Sequence, residues 1–248
     1  MRYTTPGGEV YSLFADALKQ PHLLIAGATG SGKSVVINGF IYTALHWFPG
    51  HQTDGKQLIL IDPKRVELSQ WRRVPHCIAY ASEPADMIRA LQYAMMVTES
   101  RYRFMQRRGD RKFSGGDVYI IIDEFADLIL TQKQAVKPLI QRLAQIGRAA
   151  NVHVVLATQT PISQVLPTEI KCNFDSRFAL RTRSAQDSRN ITGFAGCERL
   201  PRCGQAYYIT PAETVRYNVP MIEESKLDDM ARYWAAQITS CAHGNHAI

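Results

Sequence analysis

No run of about 18 apolar residues occurs anywhere in the sequence, which excludes a helix able to cross a bilayer. No N-terminal signal pattern is present either, so this chain is expected neither to enter nor to cross a membrane by itself. Cysteine is scarce. The five present (Cys77, Cys172, Cys197, Cys203 and Cys241) include no C-x-x-C pair and form an odd set. That argues against both a zinc site and a disulfide framework and for reduced thiols in the cytoplasm. Internal repeats and low-complexity tracts are missing, which excludes a solenoid and favours one main domain. What is present is 46% hydrophobic residues over 248 positions, enough for a full core.

The most informative stretch is Leu23–Ser34. An apolar run, Leu23-Leu24-Ile25-Ala26, reads as a short buried strand. It breaks into Gly27-Ala28-Thr29-Gly30-Ser31-Gly32-Lys33-Ser34, which satisfies G-x-x-x-x-G-K-[ST]. Glycines there let successive N–H groups line one concavity, and the following helix offers its positive end to the same anion. The pattern is a phosphate-binding loop for ATP. Lys33 reaches the β- and γ-phosphates, and Ser34 ligates Mg²⁺.

A second acidic element supports that reading. Val118–Asp123 is the most hydrophobic strand candidate and ends in Asp123-Glu124. This is a Walker B pattern, expected centrally, beside the phosphate-loop strand. Asp123 then stands near Mg²⁺, and Glu124 polarises an attacking water, which favours hydrolysis over transfer to a small metabolite. Val152–Ala157 is another buried strand ending in Thr158-Gln159. The Gln159 amide there is either a sensor of the γ-phosphate and its water or a turn cap before Pro161.

The remaining pattern is that of an α/β protein with a mostly parallel sheet flanked by helices. Turns are expected at Pro6-Gly7-Gly8 and Pro49-Gly50, and a short helix over Val10–Leu18 serves as an edge element. Further helices are expected over Val35–Phe48, Pro84–Arg107, Ala135–Ala149 and Ser225–Ser240, with a disordered tail from Cys241 to Ile248. Gln57–Ile61 is a strand ending in the charged turn Asp62-Pro63-Lys64-Arg65. That turn faces the nucleotide, a neighbouring subunit or DNA, or is simply solvated.

The net charge of +7 suits a polyanionic partner, and scattered surface cations give the same total. A cluster of Arg101, Arg103, Arg107, Arg108, Arg111 and Lys112 among glycines reads either as a loop for a phosphate backbone or as a solvated helix end. No helix-turn-helix or finger pattern is visible, so base-specific reading is not expected.

Taken together, several blocks resemble the FtsK/SpoIIIE family of DNA translocases. They are Asp62-Pro63-Lys64 with Glu67-Leu68, Pro75-His76, Glu99-Ser100-Arg101-Tyr102, Ile120–Leu128, Gly147–Gln159, Ile170–Asn173 and Asp187-Ser188-Arg189. The resemblance runs from about Pro21 to Tyr208. It implies a RecA-like ATPase that assembles as a hexameric ring and pulls double-stranded DNA through its channel. It also implies that Arg148 is an arginine finger reaching into a neighbour's site. Residues 1–20 then form an edge segment, 21–222 the motor domain, and 223–248 a C-terminal helix and tail.

Two positions depart from the family pattern. Thr160 stands where an arginine follows the sensor glutamine, and Ala185 where a lysine is common. Lys171 and Arg189 remain as DNA contacts, and Arg181 and Arg183 compensate by supplying positive charge within reach. Membrane helices and a winged-helix module, which cell-division members of the family add, are not seen. The expectation is a minimal motor without direction reading, of the kind a mobile element encodes. The competing readings are a protein-transport ATPase and a nucleotide-gated DNA-binding protein that does not translocate.

Overall fold

The computed structural model describes residues 8–47 and 55–243. The turns expected at Pro6-Gly7 and Pro49-Gly50 lie outside them. The described residues build an eight-stranded sheet with the order β3-β2-β4-β5-β1-β6-β7-β8. The parallel part comprises β1 (His22–Ala26), β2 (Gln57–Ile61), β3 (Cys77–Ala81), β4 (Val118–Ile122), β5 (Val152–Thr158) and β6 (Ser176–Leu180). An antiparallel edge is added by β7 (Gln205–Ile209) and β8 (Thr214–Asn218).

Helices cover both faces, which is why the central strands are apolar on both sides. Alternate strand residues sort into two cores. Leu24, Ile59, Ile61, Ile120, Ile122, Val154 and Leu156 face α3 (Pro84–Arg108) and α4 (Phe125–Ile146). Leu23, Ile25, Leu58, Leu60, Ile121 and Val155 face α1 (Gly8–Ala17), α2 (Lys33–Trp47) and α7 (Glu224–His243). The first helix is tightly seated: Phe14 is fully buried, and a Cβ on Gly39 of α2 would lie 2.4 Å from its ring.

The Walker B strand does not neighbour the phosphate-loop strand. β5 lies between β1 and β4, in parallel register with both. The expectation fails because a short apolar run carries no information about its sheet partner. The same intercalation puts Thr158 and Gln159 directly against the phosphate loop, since Ala26 pairs with Thr158 and Gly27 N–H donates to the Thr158 carbonyl.

Other boundaries move as well. α4 starts at Phe125, ten residues before the expected helix, because Phe125, Leu128 and Ile129 already bury an amphipathic face. It bends at Gln132 (φ −129°), ahead of Pro138, whose ring and missing N–H disturb the preceding turn. It ends at Ile146, and Gly147–Ala150 form a 3₁₀ turn. α7 runs on through His243, so Cys241–His243 continue a helix where a disordered tail is expected. Residues 244–248 lie outside the described part.

Candidate nucleotide site and its opposite pole

β1, β4 and β5 all point their C-terminal ends to one rim of the sheet, where open α/β folds place ligands. Across two strand spacings, roughly 10 Å, the Lys33 side chain spans from the start of α2 to β4. Its ammonium donates to Asp123 Oδ1 at 2.5 Å and to the Asp123 carbonyl at 2.8 Å. Both side chains are almost fully buried, at 4% and 2% exposure. Lys33 is therefore paired with a carboxylate in the interior.

Glu124 is also buried and heavily held. Its Oε1 accepts from Thr158 Oγ1 at 2.9 Å and from Gln159 N–H at 3.1 Å, while Lys64 Nζ stands 3.4 Å from Oε2. Thr29 Oγ1 donates to Gln159 Oε1 at 2.8 Å. Gln159, Glu124 and the glycine-rich loop thus form one hydrogen-bonded set. The role of Thr158 was legible only as a polar residue ending an otherwise apolar strand.

The charged turn after β2 divides its roles. Asp62 is fully buried and accepts from Leu68 N–H at 3.1 Å, so it shapes the turn rather than meeting solvent. Lys64 is the member that faces the site.

The glycines of the loop serve different ends. Gly30 (φ +73°) and Gly32 (φ +99°) occupy left-handed backbone that side chains resist. A Cβ on Gly27 would stand 2.6 Å from Ser31 Oγ and 2.7 Å from Leu180 Cβ, so Gly27 lets the loop press against β6. Ala28 N–H donates to the Arg181 carbonyl at 2.8 Å, fastening the two segments. Ala28 is half-exposed and Thr29 exposed at the mouth, and the buried Ser31 hydroxyl has no hydrogen-bond partner among the described residues. The donor set also suits Mg²⁺: Ser34 at the head of α2 and Asp123 would supply hard oxygen ligands. No cluster of three or more His, Cys, Asp or Glu suited to a metal occurs among the described residues.

Arg148 lies at the other pole. It is exposed on the 3₁₀ turn that precedes β5, so the length of a seven-residue strand, about 20 Å, separates it from Gln159. The Arg101-Tyr102 block holds that turn in place. Arg101 donates to the Ala150 and Asn151 carbonyls at 2.7 and 3.0 Å, and the Tyr102 hydroxyl to the Ile146 carbonyl at 2.9 Å. Arg101 thus belongs to the fold, while Arg107, Arg108, Arg111 and Lys112 are solvated.

A polar cluster underlies the same pole. Burial raises the Asp117 pKa, but hydrogen bonds from His153 and Lys56 outweigh it and bring it to about 2. Burial, reinforced by nearby His153, lowers His22 to about 3; its Nδ1 accepts from Val154 N–H at 3.0 Å.

The four cations expected to meet DNA fall into two groups. Arg181 and Arg183 follow the end of β6, on the rim that carries the phosphate loop. Both are exposed, and neither guanidinium makes a hydrogen bond among the described residues. Lys171 closes α5 (Thr168–Lys171) and donates to the Asn190 carbonyl at 3.0 Å, which secures α6 (Ala185–Thr192). Arg189 is exposed on α6.

Known structures share this fold. The conjugation coupling protein TcpA of pCW3 superposes with a TM-score of 0.76 at 20% identity, over 88% of this chain and 66% of that one. The type VII secretion ATPase EccC of Thermomonospora curvata gives 0.69 at 22% identity, over 87% and 28%. Sequence relatives are closer. The DNA translocase FtsK of Rickettsia bellii is 33% identical over 89% of this chain and 35% of its own length. That of Listeria monocytogenes is 34% identical over 91% and 32%. The chain thus spans about a third of these relatives. The FtsK/SpoIIIE family model matches residues 7–120 and 116–163, a stretch that takes in the phosphate loop, the Walker B pair, the Arg148 turn and Gln159. By that match and those identities, the chain belongs to the FtsK/SpoIIIE family.

Proposed function

We propose that this chain is the motor of a Mg²⁺-dependent ATPase that translocates double-stranded DNA as an oligomeric ring, in DNA segregation or transfer. One observation carries the reading. Lys33, Asp123, Glu124 and Gln159 gather at one rim, whereas Arg148, the residue fit to balance charge on the transferring phosphoryl group, stands at the opposite pole. A complete site then needs a neighbouring copy, which is how a ring couples nucleotide turnover to movement between subunits.

Within one subunit the chemistry follows from the contacts. The phosphates take Lys33 from Asp123 and leave that carboxylate free. Mg²⁺, which Ser34 and Asp123 would hold, would supply charge neutralisation on the phosphate oxygens. Glu124, held by Thr158 and the Gln159 N–H, presents its carboxylate to the attacking water as proton acceptor. Gln159, released from Thr29, offers its amide to the γ-phosphate and the water. Lys171 and Arg189 on one flank, with Arg181 and Arg183 at the end of β6, supply cations to the DNA backbone.

DNA is favoured over polypeptide as the polymer because the relatives at about a third identity are named DNA translocases, while the secretion ATPase shares only the fold. The test is the ATPase rate with and without linear double-stranded DNA at two salt concentrations. Stimulation that weakens as salt rises supports a motor gripping phosphates. Robust hydrolysis indifferent to DNA refutes it and turns attention to a protein substrate.

A further inference from the structure

The segment Pro201-Arg202-Cys203-Gly204, which leads into β7, lies along the outer side of the phosphate loop. Its Gly204 N–H nitrogen is 3.8 Å from where a Cβ on Gly32 would sit. Arg202 reaches further: its Nε and Nη2 are 3.8 and 4.0 Å from the Cβ position of Gly30. The segment is anchored on both sides, by buried Leu200 before it and by the Val219 N–H bond to the Gly204 carbonyl at 2.8 Å. Arg202 itself is exposed, and its guanidinium has no hydrogen bond or ion pair among the described residues.

An arginine held a few ångströms from a phosphate-binding backbone, with no carboxylate to pair with, is a cation awaiting an anion. Lys33 is already neutralised by Asp123, and of the exposed arginines on this rim without a hydrogen bond among the described residues, Arg181, Arg183 and Arg202, only Arg202 brings its guanidinium within 4 Å of the Gly30 Cβ position. Arg148 is at the far pole. We infer that Arg202 binds the polyphosphate chain of the nucleotide in cis, as a second cation beside Lys33. The inference rests on the nucleotide reading above. Its fork geometry suits bidentate contact with phosphate oxygens, and its position on the mouth side lets it engage before any neighbouring subunit contributes.

The test is calorimetric titration of wild type, Arg202→Ala and Arg202→Lys with ATP and, separately, with inorganic tripolyphosphate, which carries the phosphates without the base. A charge-assisted contact predicts that Arg202→Ala weakens both ligands about tenfold and that Arg202→Lys recovers part of the loss. Unchanged affinity for both ligands overturns the inference. So does weaker ATP binding with unchanged tripolyphosphate binding, which assigns the guanidinium to the base. A Lys33→Ala/Asp123→Asn variant, which avoids leaving a lone buried charge, serves as the non-binding control. If wild type itself binds neither ligand, the nucleotide reading fails and this inference falls with it.

Discussion

Replacing Thr158 by valine removes one oxygen at the point where the Walker B glutamate is held. The side chain is fully buried, so valine keeps the shape and deletes the 2.9 Å bond to Glu124 Oε1, together with the 3.1 Å bond that the hydroxyl accepts from Thr160 N–H. Hydrogen bonds to charged groups contribute about 1.5–3 kcal/mol. Gln159 N–H still holds the same carboxylate at 3.1 Å, so the expected loss lies at the lower end, about 1.5 kcal/mol. If that bond orients Glu124 toward water, kcat for ATP falls about tenfold while KM changes little, since no phosphate contact is touched. A double-mutant cycle isolates the bond. Urea unfolding of Thr158→Val, Glu124→Ala and the double variant should show a coupling of about 1 kcal/mol. Coupling below about 0.3 kcal/mol, or a rise in KM with kcat intact, refutes the argument that Thr158 works through Glu124.

Four further outcomes are expected. Gly27→Ala forces a Cβ to within 2.7 Å of Leu180 and should cost about 1–3 kcal/mol, read as a lowered melting temperature. Lys33→Ala strands a buried Asp123 and should destabilise the fold by about 3 kcal/mol or more, whereas adding Asp123→Asn should restore most of it in the same unfolding assay. His22 titrates near 6.5 when unfolded and about 3 when folded, so the unfolded chain binds the extra proton and stability falls with pH below 6.5. From pH 6.5 to 5 the loss is about 2 kcal/mol by denaturant unfolding, and His22→Gln should flatten that slope. Finally, Arg148→Ala and Glu124→Gln proteins should each be inactive alone yet hydrolyse ATP when co-assembled, because one lends the arginine and the other the intact site; a silent mixture contradicts donation between subunits.

The phosphate loop, the Walker B pair and Gln159 were legible because each is a polar residue at fixed spacing at the end of an apolar run. Helix α3 was legible to within a residue because Pro84 opens it and its apolar stripe is unbroken. Sheet order was not, since Ile and Val runs pair equally well with any neighbour. The strand β3 stayed hidden because its residues are only partly buried and carry no clear alternation, and β6 because Arg177 interrupts it. The hairpin of β7 and β8 was not read from the sequence, although its burial alternates along both strands. Arg202 had no pattern at all; only the approach of its loop to Gly30 reveals it.

The placement of Arg148 one strand length from its own phosphate loop has an arithmetic consequence. Two copies related by a two-fold axis join like surface to like, so they cannot give one another both an arginine and a site unless each pole meets the other. Head-to-tail joining does so naturally, and a row of n subunits then owns n − 1 finished sites, with an idle arginine at one end and an unfinished site at the other. Closing the row brings those two ends together and finishes the nth site. On the ring proposed above, catalytic capacity per subunit would rise upon closure, and ring opening to admit a polymer would silence one site at the gap.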